Sequence, residues 1–242
     1  MPHLPSLAGT VERRLLVNYR VDPDVMTRLL PRPLRPQLVR GWAVAGLCLI
    51  RLGHLRPRRL PARWGVRSEN AAHRVAVEWD TPDGTACGVF VARRDTGSWV
   101  NAAVGGRAYP GVHGRARFRV REAGRDVYVA CSTVDDGMWI DVHARRCGTW
   151  PGSALFDGVD EASAFFRRGA DGYSPSRSGG CLEGLRLETL DWRVEPVEVV
   201  HARSSYFDDG ALFPPGSVAL DNALLMREVA VRWQPLPRMS AA

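Results

Sequence analysis

The sequence predicts an α+β fold, in which a large, closed and predominantly antiparallel β-sheet is accompanied by a few short helices. Many short segments alternate apolar and polar residues, turn residues separate them, and no regular strand–helix–strand rhythm runs through the chain. With 242 residues, of which 45% are hydrophobic, the chain can bury a substantial core. We therefore expect a single domain over residues 1–242, with an ordered core over about 11–235.

The first half of the chain is predicted to form strands with two helices between them. A strand over 13–21 precedes Asp22-Pro23-Asp24, which begins a helix because Asp caps the first turn and Pro fits there. The next strands are predicted over 37–39, 42–52, 73–80 and 85–93, with turns at Arg40-Gly41 and Thr81-Pro82-Asp83-Gly84. Ser98 is expected to cap a helix that ends at Gly105-Gly106.

The second half continues as a meander and then returns to strands. Alternation predicts strands over 115–121, 127–133, 138–144, 185–190, 194–202 and 229–233. A helix is expected over 161–168, a long polar loop that contains Tyr173 over 169–180, and a loop or short helix over 221–226.

Composition limits the classes of function. The net charge of +7 comes from arginine, because the chain contains no lysine. Residues 25–68 are basic and contain no acidic residue, but no nucleic-acid motif or interleaved aromatic residues accompany them, so nucleic acid is not the expected partner. No segment has a signal peptide's pattern or a membrane span's length, and the five cysteines show no metal or disulfide spacing. We expect a cytoplasmic protein with reduced thiols.

Three stretches together carry a family resemblance. They are LLVNYRVDPDVMTRLLPRPL (15–34), Ser68-Glu69-Asn70, and GVFVARRDTGSWVNAAVGGRAYPGVHGRARF (88–118). They resemble the YqjF-like branch, DUF2071, of the acetoacetate decarboxylase-like superfamily, over roughly residues 11–235. The resemblance implies a cone-like or barrel-like sheet around a small-molecule cavity, and one further expectation is a homo-oligomer.

The same resemblance implies that the family's signature chemistry is missing. The decarboxylases have Tyr-Pro-Lys-Lys, whose first lysine forms a Schiff base, where this chain has Tyr109-Pro110-Gly111-Val112. Arginine cannot replace that lysine, because its guanidinium stays protonated. The family's pocket glutamate matches Glu69. Its substrate-binding arginine matches either Arg13 or Arg14, and the sequence does not decide between these two arginines.

Six residues are the candidates for a site. Glu69 and His113 are expected to move protons, and Arg94 to hold a carboxylate or an enolate-like oxygen. Tyr109, Asp95 and Tyr173 are expected to contact the substrate. All of them except Tyr109 also have a structural interpretation: Glu69 as an ion pair or a solvated surface residue, His113 as a turn histidine bonded to backbone, Arg94 paired with Asp95 to fix the turn, and Tyr173 on the protein surface.

Three functions remain open from the sequence, of which a structural or nucleic-acid-binding role rests only on the excess of arginine. The other two involve a small molecule. One is an enzyme, a decarboxylase, dehydratase or cyclase, that acts on a small carbonyl-containing acid or polyketide-like metabolite by acid–base and electrostatic catalysis. The other is a non-catalytic small-molecule-binding protein with the same cavity. We expect no cofactor and no metal site, because Asp141 and His143 share a strand face without a third ligand.

Overall fold

A computed structural model of the chain describes residues 6–98, 111–134, 137–177 and 179–241. The predicted helix after Ser98 and the predicted contact residue Tyr109 lie outside these residues. The first strands and helices are β1 (Leu7–Val21), α1 (Pro23–Leu29), β2 (Arg35–Pro36), β3 (Leu38–Val39), β4 (Trp42–Pro57), a 3₁₀ turn (Ala62–Trp64), β5 (Val66–Thr81), β6 (Gly84–Phe90) and β7 (Arg93–Thr96). They are followed by β8 (Val112–Ala123), β9 (Asp126–Thr133), β10 (Trp139–Arg146), α2 (Val159–Arg168), β11 (Asp171–Pro175), β12 (Cys181–Thr189), β13 (Glu195–Ser204) and β14 (Val218–Ser240).

The strands form one 14-stranded sheet that closes on itself twice. One circuit, the large ring, runs β5-β7-β8-β9-β10-β13-β14-β1-β4 and back to β5. The other, the small ring, runs β12-β11-β6-β5-β4-β1-β14 and back to β12. Strands β14, β1, β4 and β5 therefore form a wall that the two rings share, and the predicted closed, barrel-like sheet is confirmed.

Most neighbouring strands are antiparallel, as predicted, but two pairs are parallel. These are β11 with β6 and β7 with β8. The tight turn at Arg40-Gly41 is confirmed by its left-handed backbone, with φ of 50° and 82°. Asp22 caps α1 as predicted, because its carboxylate accepts hydrogen bonds from the backbone N–H groups of Asp24 (2.9 Å) and Val25 (3.0 Å).

Two predicted loops are strands, so those predictions are wrong. Residues 221–226 belong to β14, which pairs along most of its length with β1. Residues 171–175, in the predicted polar loop, form β11 between β6 and β12. The short polar segment of β11 is stabilised by pairing with strands that are distant in sequence, which local composition does not reveal.

The shared wall is buried on both faces, because successive side chains of a strand point to opposite sides. Leu15 and Val17 belong to the main core, which also contains Val129 of β9 and Val142 of β10 and therefore lies within the large ring. Leu16, between them in sequence, packs instead against Phe166 of α2. Within the described ranges, no helix is long and apolar enough to cross a membrane.

Candidate functional site

A cavity of about 200 Å³ lies inside the small ring. Each strand of the small ring contributes to its lining, together with the C-terminal end of α2 and the adjoining ends of β7 and β8. Much of the cavity lining is apolar. The apolar lining residues include Ile50, Leu52, Val89, Leu185, Leu187, Trp192 and Trp233. Such a lining, with a few polar groups directed inward, is typical of a small-molecule site.

Arg94 and His113 both line this cavity. They are register partners in the parallel pair β7–β8, so their side chains leave neighbouring strands on the same face. Arg94 is half-buried, and its Nη1 donates a hydrogen bond to the Ser174 hydroxyl. The fold thus places a cation and a group able to transfer protons side by side at the cavity wall.

Gly111 explains how the cavity accommodates Arg94. Its φ is +95°, and a Cβ atom at this position would lie 2.8 Å from Arg94 Nη1 and 2.8 Å from Ser174 Cβ. Any side chain would therefore strain the backbone and displace Arg94. This glycine stands where the resemblance places the Schiff-base lysine, so Arg94 and Ser174 occupy the space that a side chain there would need.

Two further arginines, Arg14 and Arg74, line the same cavity. Arg74 is 4% exposed, its guanidinium lies 4.5 Å from the centre of the Phe166 ring, and its Nη2 donates a hydrogen bond to the Asn18 side chain. Arg14 Nε donates to the sulfur of Cys48 at 3.4 Å. Burial lowers the pKa of Arg74 to about 10; the interaction with Cys48 opposes this shift, and the nearby Arg14 charge adds to it. Arg74 therefore remains a cation at neutral pH.

Glu69 faces the other side of β5, towards the large ring. Its carboxylate accepts from Arg13 Nη2 at 2.6 Å and from Arg51 Nε at 2.5 Å. Glu122 of β8 joins the same cluster by accepting from Arg13 at 3.0 Å, from Arg51 at 3.0 Å and from Arg227 at 2.9 Å. Glu69 is thus not brought together with Arg94 and His113, and Arg13 and Arg14 face different rings.

In the Arg13 cluster, three guanidinium groups surround the two carboxylates of Glu69 and Glu122. Arg13 is 1% exposed, and burial alone would raise the pKa of its partner Glu122. The hydrogen bond from Arg227, together with the charges and hydrogen bonds of Arg13 and Arg51, outweighs burial and lowers that pKa. The carboxylate form of Glu122 is therefore favoured in the folded protein.

The predicted contact residues lie in different surroundings. Asp95 is 2% exposed, lies at the cavity lining and accepts from Arg93 Nε at 2.9 Å. Tyr173 is buried in β11, outside the cavity lining, with its ring centre 5.2 Å from that of Trp79. Burial raises the pKa of Tyr173.

Sequence reasoning missed Arg74 and Cys48 as residues of the cavity lining. Arg74 lies near the start of the predicted strand 73–80 but in the middle of the observed β5, and Cys48 lies within the predicted strand 42–52. Neither belongs to the segment 88–118 that carries most of the candidate residues. The available signal was the arginine within the apolar alternation of 73–80, because a buried arginine requires a partner. In the part of the chain that the structure covers, no group of three or more His, Cys, Asp or Glu residues is placed to hold a metal ion. His143 and Asp141 are bonded instead to Asp126 (2.8 Å) and His201 (2.7 Å).

Comparisons with known proteins agree with this architecture. The chain is similar to an acetoacetate decarboxylase-like enzyme from Sphingomonas wittichii RW1, with 14% identity, a TM-score of 0.63, and coverage of 100% of this chain and 95% of that chain. It is also similar to acetoacetate decarboxylase from Legionella pneumophila subsp. pneumophila str. Philadelphia 1, with 13% identity, a TM-score of 0.57, and coverage of 100% and 88%. The enduracididine biosynthesis enzyme MppR, complexed with pyruvate, gives 14% identity, a TM-score of 0.57, and coverage of 98% and 92%.

At these identities, the likeness to solved structures establishes the fold alone. No curated protein matches the chain significantly. The family model DUF2071, described as an uncharacterized conserved protein, matches residues 9–225. The chain therefore has an acetoacetate decarboxylase-like fold and belongs to the DUF2071 family.

Proposed function

We propose that this protein is an enzyme that acts on a small carbonyl-containing carboxylic acid by acid–base and electrostatic catalysis, without a Schiff-base lysine. The observation that carries the proposal is that Arg94 and His113, register partners on β7 and β8, line one largely apolar cavity. An apolar surrounding strengthens the attraction between a guanidinium and a developing oxyanion.

The proposed step is proton transfer at the carbon next to the carbonyl group. His113 removes a proton from that carbon, the C–H electron pair becomes the C=C bond of an enolate, and the carbonyl oxygen gains the negative charge. Arg94 stabilises that oxygen, and its hydrogen bond to the Ser174 hydroxyl orients the guanidinium. In this proposal Glu69, which is bonded to two arginines on the opposite face of β5, maintains the Arg13 cluster and transfers no proton.

Exchange of methyl protons tests the step without knowledge of the physiological substrate. The probe is pyruvate, because the structure of an enzyme of the same fold is known in complex with it. Wild-type protein in D₂O is expected to accelerate the loss of the pyruvate methyl signal in proton NMR. His113→Gln is expected to lower that rate by at least about 100-fold, while the dissociation constant for pyruvate changes less than about threefold.

His143→Gln is the matched control, because His143 lies on β10 and is bonded to Asp126, away from the cavity lining. It is expected to exchange at the wild-type rate. An unchanged rate in His113→Gln would contradict the assigned role.

The second candidate function is a non-catalytic binding protein. Gly111 favours it, because the position that resembles the lysine site has no room for a side chain. Pyruvate binding by the wild-type protein without any exchange of its methyl protons would support this alternative over catalysis.

A further inference from the structure

We propose that Arg14 and Arg74 form an anion subsite that binds the carboxylate of the ligand, with Cys48 beside it and the ligand's apolar body against Trp192 and Trp233. This inference rests on the proposed function only in using the same cavity. It adds where the acid group binds and what the rest of the ligand is.

The first argument concerns the acidic residues near the cavity: Asp95 lines it but accepts from Arg93. In the part of the chain that the structure describes, no acidic side chain pairs with Arg14 or Arg74. Nε of Arg74 is buried without a hydrogen-bond partner, as are those of Arg13 and Arg227, but only Arg74 also lacks a carboxylate. A buried cation that is not paired is costly, because it has lost its hydration. The bond to Asn18 and the contact with Phe166 offset part of this cost. An anion between the two guanidinium groups would offset the rest.

The second argument is a contrast with the Arg13 cluster. There, Glu69 and Glu122 supply carboxylates to Arg13, Arg51 and Arg227. Arg14 is adjacent to Arg13 in sequence but faces the cavity, where its Nε donates to the sulfur of Cys48. Among the described residues, the chain thus supplies acidic partners inside the large ring and none at Arg14 and Arg74, so a bound carboxylate is the partner that fits.

The third argument concerns the size and lining of the cavity. A dry cavity of about 150 Å³ holds one benzene molecule, so about 200 Å³ accommodates a body of about that size with a carboxylate attached. Trp192 and Trp233, with Leu185 and Leu187 of β12, provide apolar contact for that body. The ligand class is therefore a monocarboxylate with an aromatic or branched aliphatic body.

Alkylation of Cys48 tests the subsite in the wild-type protein. Iodoacetate and iodoacetamide have nearly the same size but differ in charge. In both reactions the Cys48 sulfur attacks the CH₂ carbon, the C–I bond breaks, iodide leaves, and the thiol proton passes to solvent. Rate constants at each cysteine are measured by peptide mass spectrometry.

The expected result is a rate ratio of iodoacetate to iodoacetamide that is at least about tenfold higher at Cys48 than at Cys147, the effect of one charge-assisted hydrogen bond. Cys147 is the internal control, because its sulfur donates to the backbone carbonyl of Pro196 away from the cavity. Benzoate is expected to protect Cys48, whereas benzamide is not. Arg14→Met and Arg74→Met should abolish the charge preference, and Arg145→Met, an exposed residue of β10, should retain it.

Equal ratios at Cys48 and Cys147, equal protection by benzamide, or no labelling of Cys48 by either reagent would overturn the inference. Because protection is measured on wild-type protein, the test does not depend on whether the arginine variants fold. Charge-selective labelling of Cys48 without exchange of the pyruvate methyl protons would support the subsite and contradict the proposed catalysis. Exchange of these protons without charge-selective labelling would contradict the subsite alone.

Discussion

Replacing Glu69 with glutamine distinguishes a carboxylate that stabilises the fold from one that transfers protons. Glu69→Gln removes the negative charge between Arg13 and Arg51 but preserves the size of the side chain. Removing one partner of a buried ion pair costs about 3–5 kcal/mol. Because Arg13 retains Glu122 and the Glu69 side chain is 18% exposed, we expect the free energy of unfolding to fall by about 2 kcal/mol.

Glu12→Gln is a matched control. The Glu12 side chain is 20% exposed, nearly as much as that of Glu69, but its partner Arg67 is 65% exposed, whereas Arg13 is 1% exposed. Loss of the Glu12–Arg67 ion pair should lower the free energy of unfolding by less than about 1 kcal/mol. Urea unfolding followed by circular dichroism measures both values, and the pyruvate exchange assay is run on the folded variants. Glu69→Gln could instead be as stable as the wild type but fail to exchange the pyruvate methyl protons. That result would refute our conclusion that Glu69 stabilises the Arg13 cluster and transfers no proton.

Three further predictions address other parts of the molecule. Burial, aided by the Arg93 charge, lowers the pKa of His73 from 6.5 to about 4, so its contribution to stability is complete above pH 6.5 and is lost as the pH falls towards 4. The loss should reach about 3 kcal/mol by pH 4 in urea unfolding, and His73→Gln should remove this part of the pH dependence. Gly111→Lys should destabilise the protein by about 2 kcal/mol, because of the φ of +95° and the 2.8 Å approach of a Cβ atom to Arg94 and Ser174. Because Arg94 and Ser174 occupy the space that the new side chain would need, treatment of this variant with borohydride and pyruvate should trap no adduct detectable by mass spectrometry. Asp22→Ala should lower the free energy of unfolding by about 1 kcal/mol, since it removes the cap of α1; an unchanged urea midpoint would contradict this.

The sequence predicted the elements whose signals are local. Alternation identified β8, β9 and β10, and the turn residues Arg40 and Gly41 identified the turn before β4. It failed at Leu224, Leu225 and Met226 of β14, where consecutive apolar residues conceal the period of a strand. Leu224 packs with α2 and Leu225 packs in the large ring, so both faces of this strand are buried and alternation is lost.

The sequence brought together those candidate residues that are close in sequence. Arg94 and His113 belong to one motif-bearing segment, and the register of β7 with β8 places them together. The direction of Glu69 could not be predicted, because a shift of one residue in strand register reverses the face of every side chain. The same uncertainty applied to Arg13 and Arg14, and only the pairing of β1 with β4 and β14 resolves it.

Arg13 and Arg14, adjacent residues of the shared wall, lie in different electrostatic environments. Arg13 points into the large ring, where Glu69 and Glu122 balance its charge, and Arg14 points into the small ring beside Arg74, where no acidic residue does so among the described residues. Part of the chain's excess of arginine is therefore directed into a cavity and not onto the surface. Guanidinium groups in such a cavity can bind a carboxylate without forming a covalent bond to it.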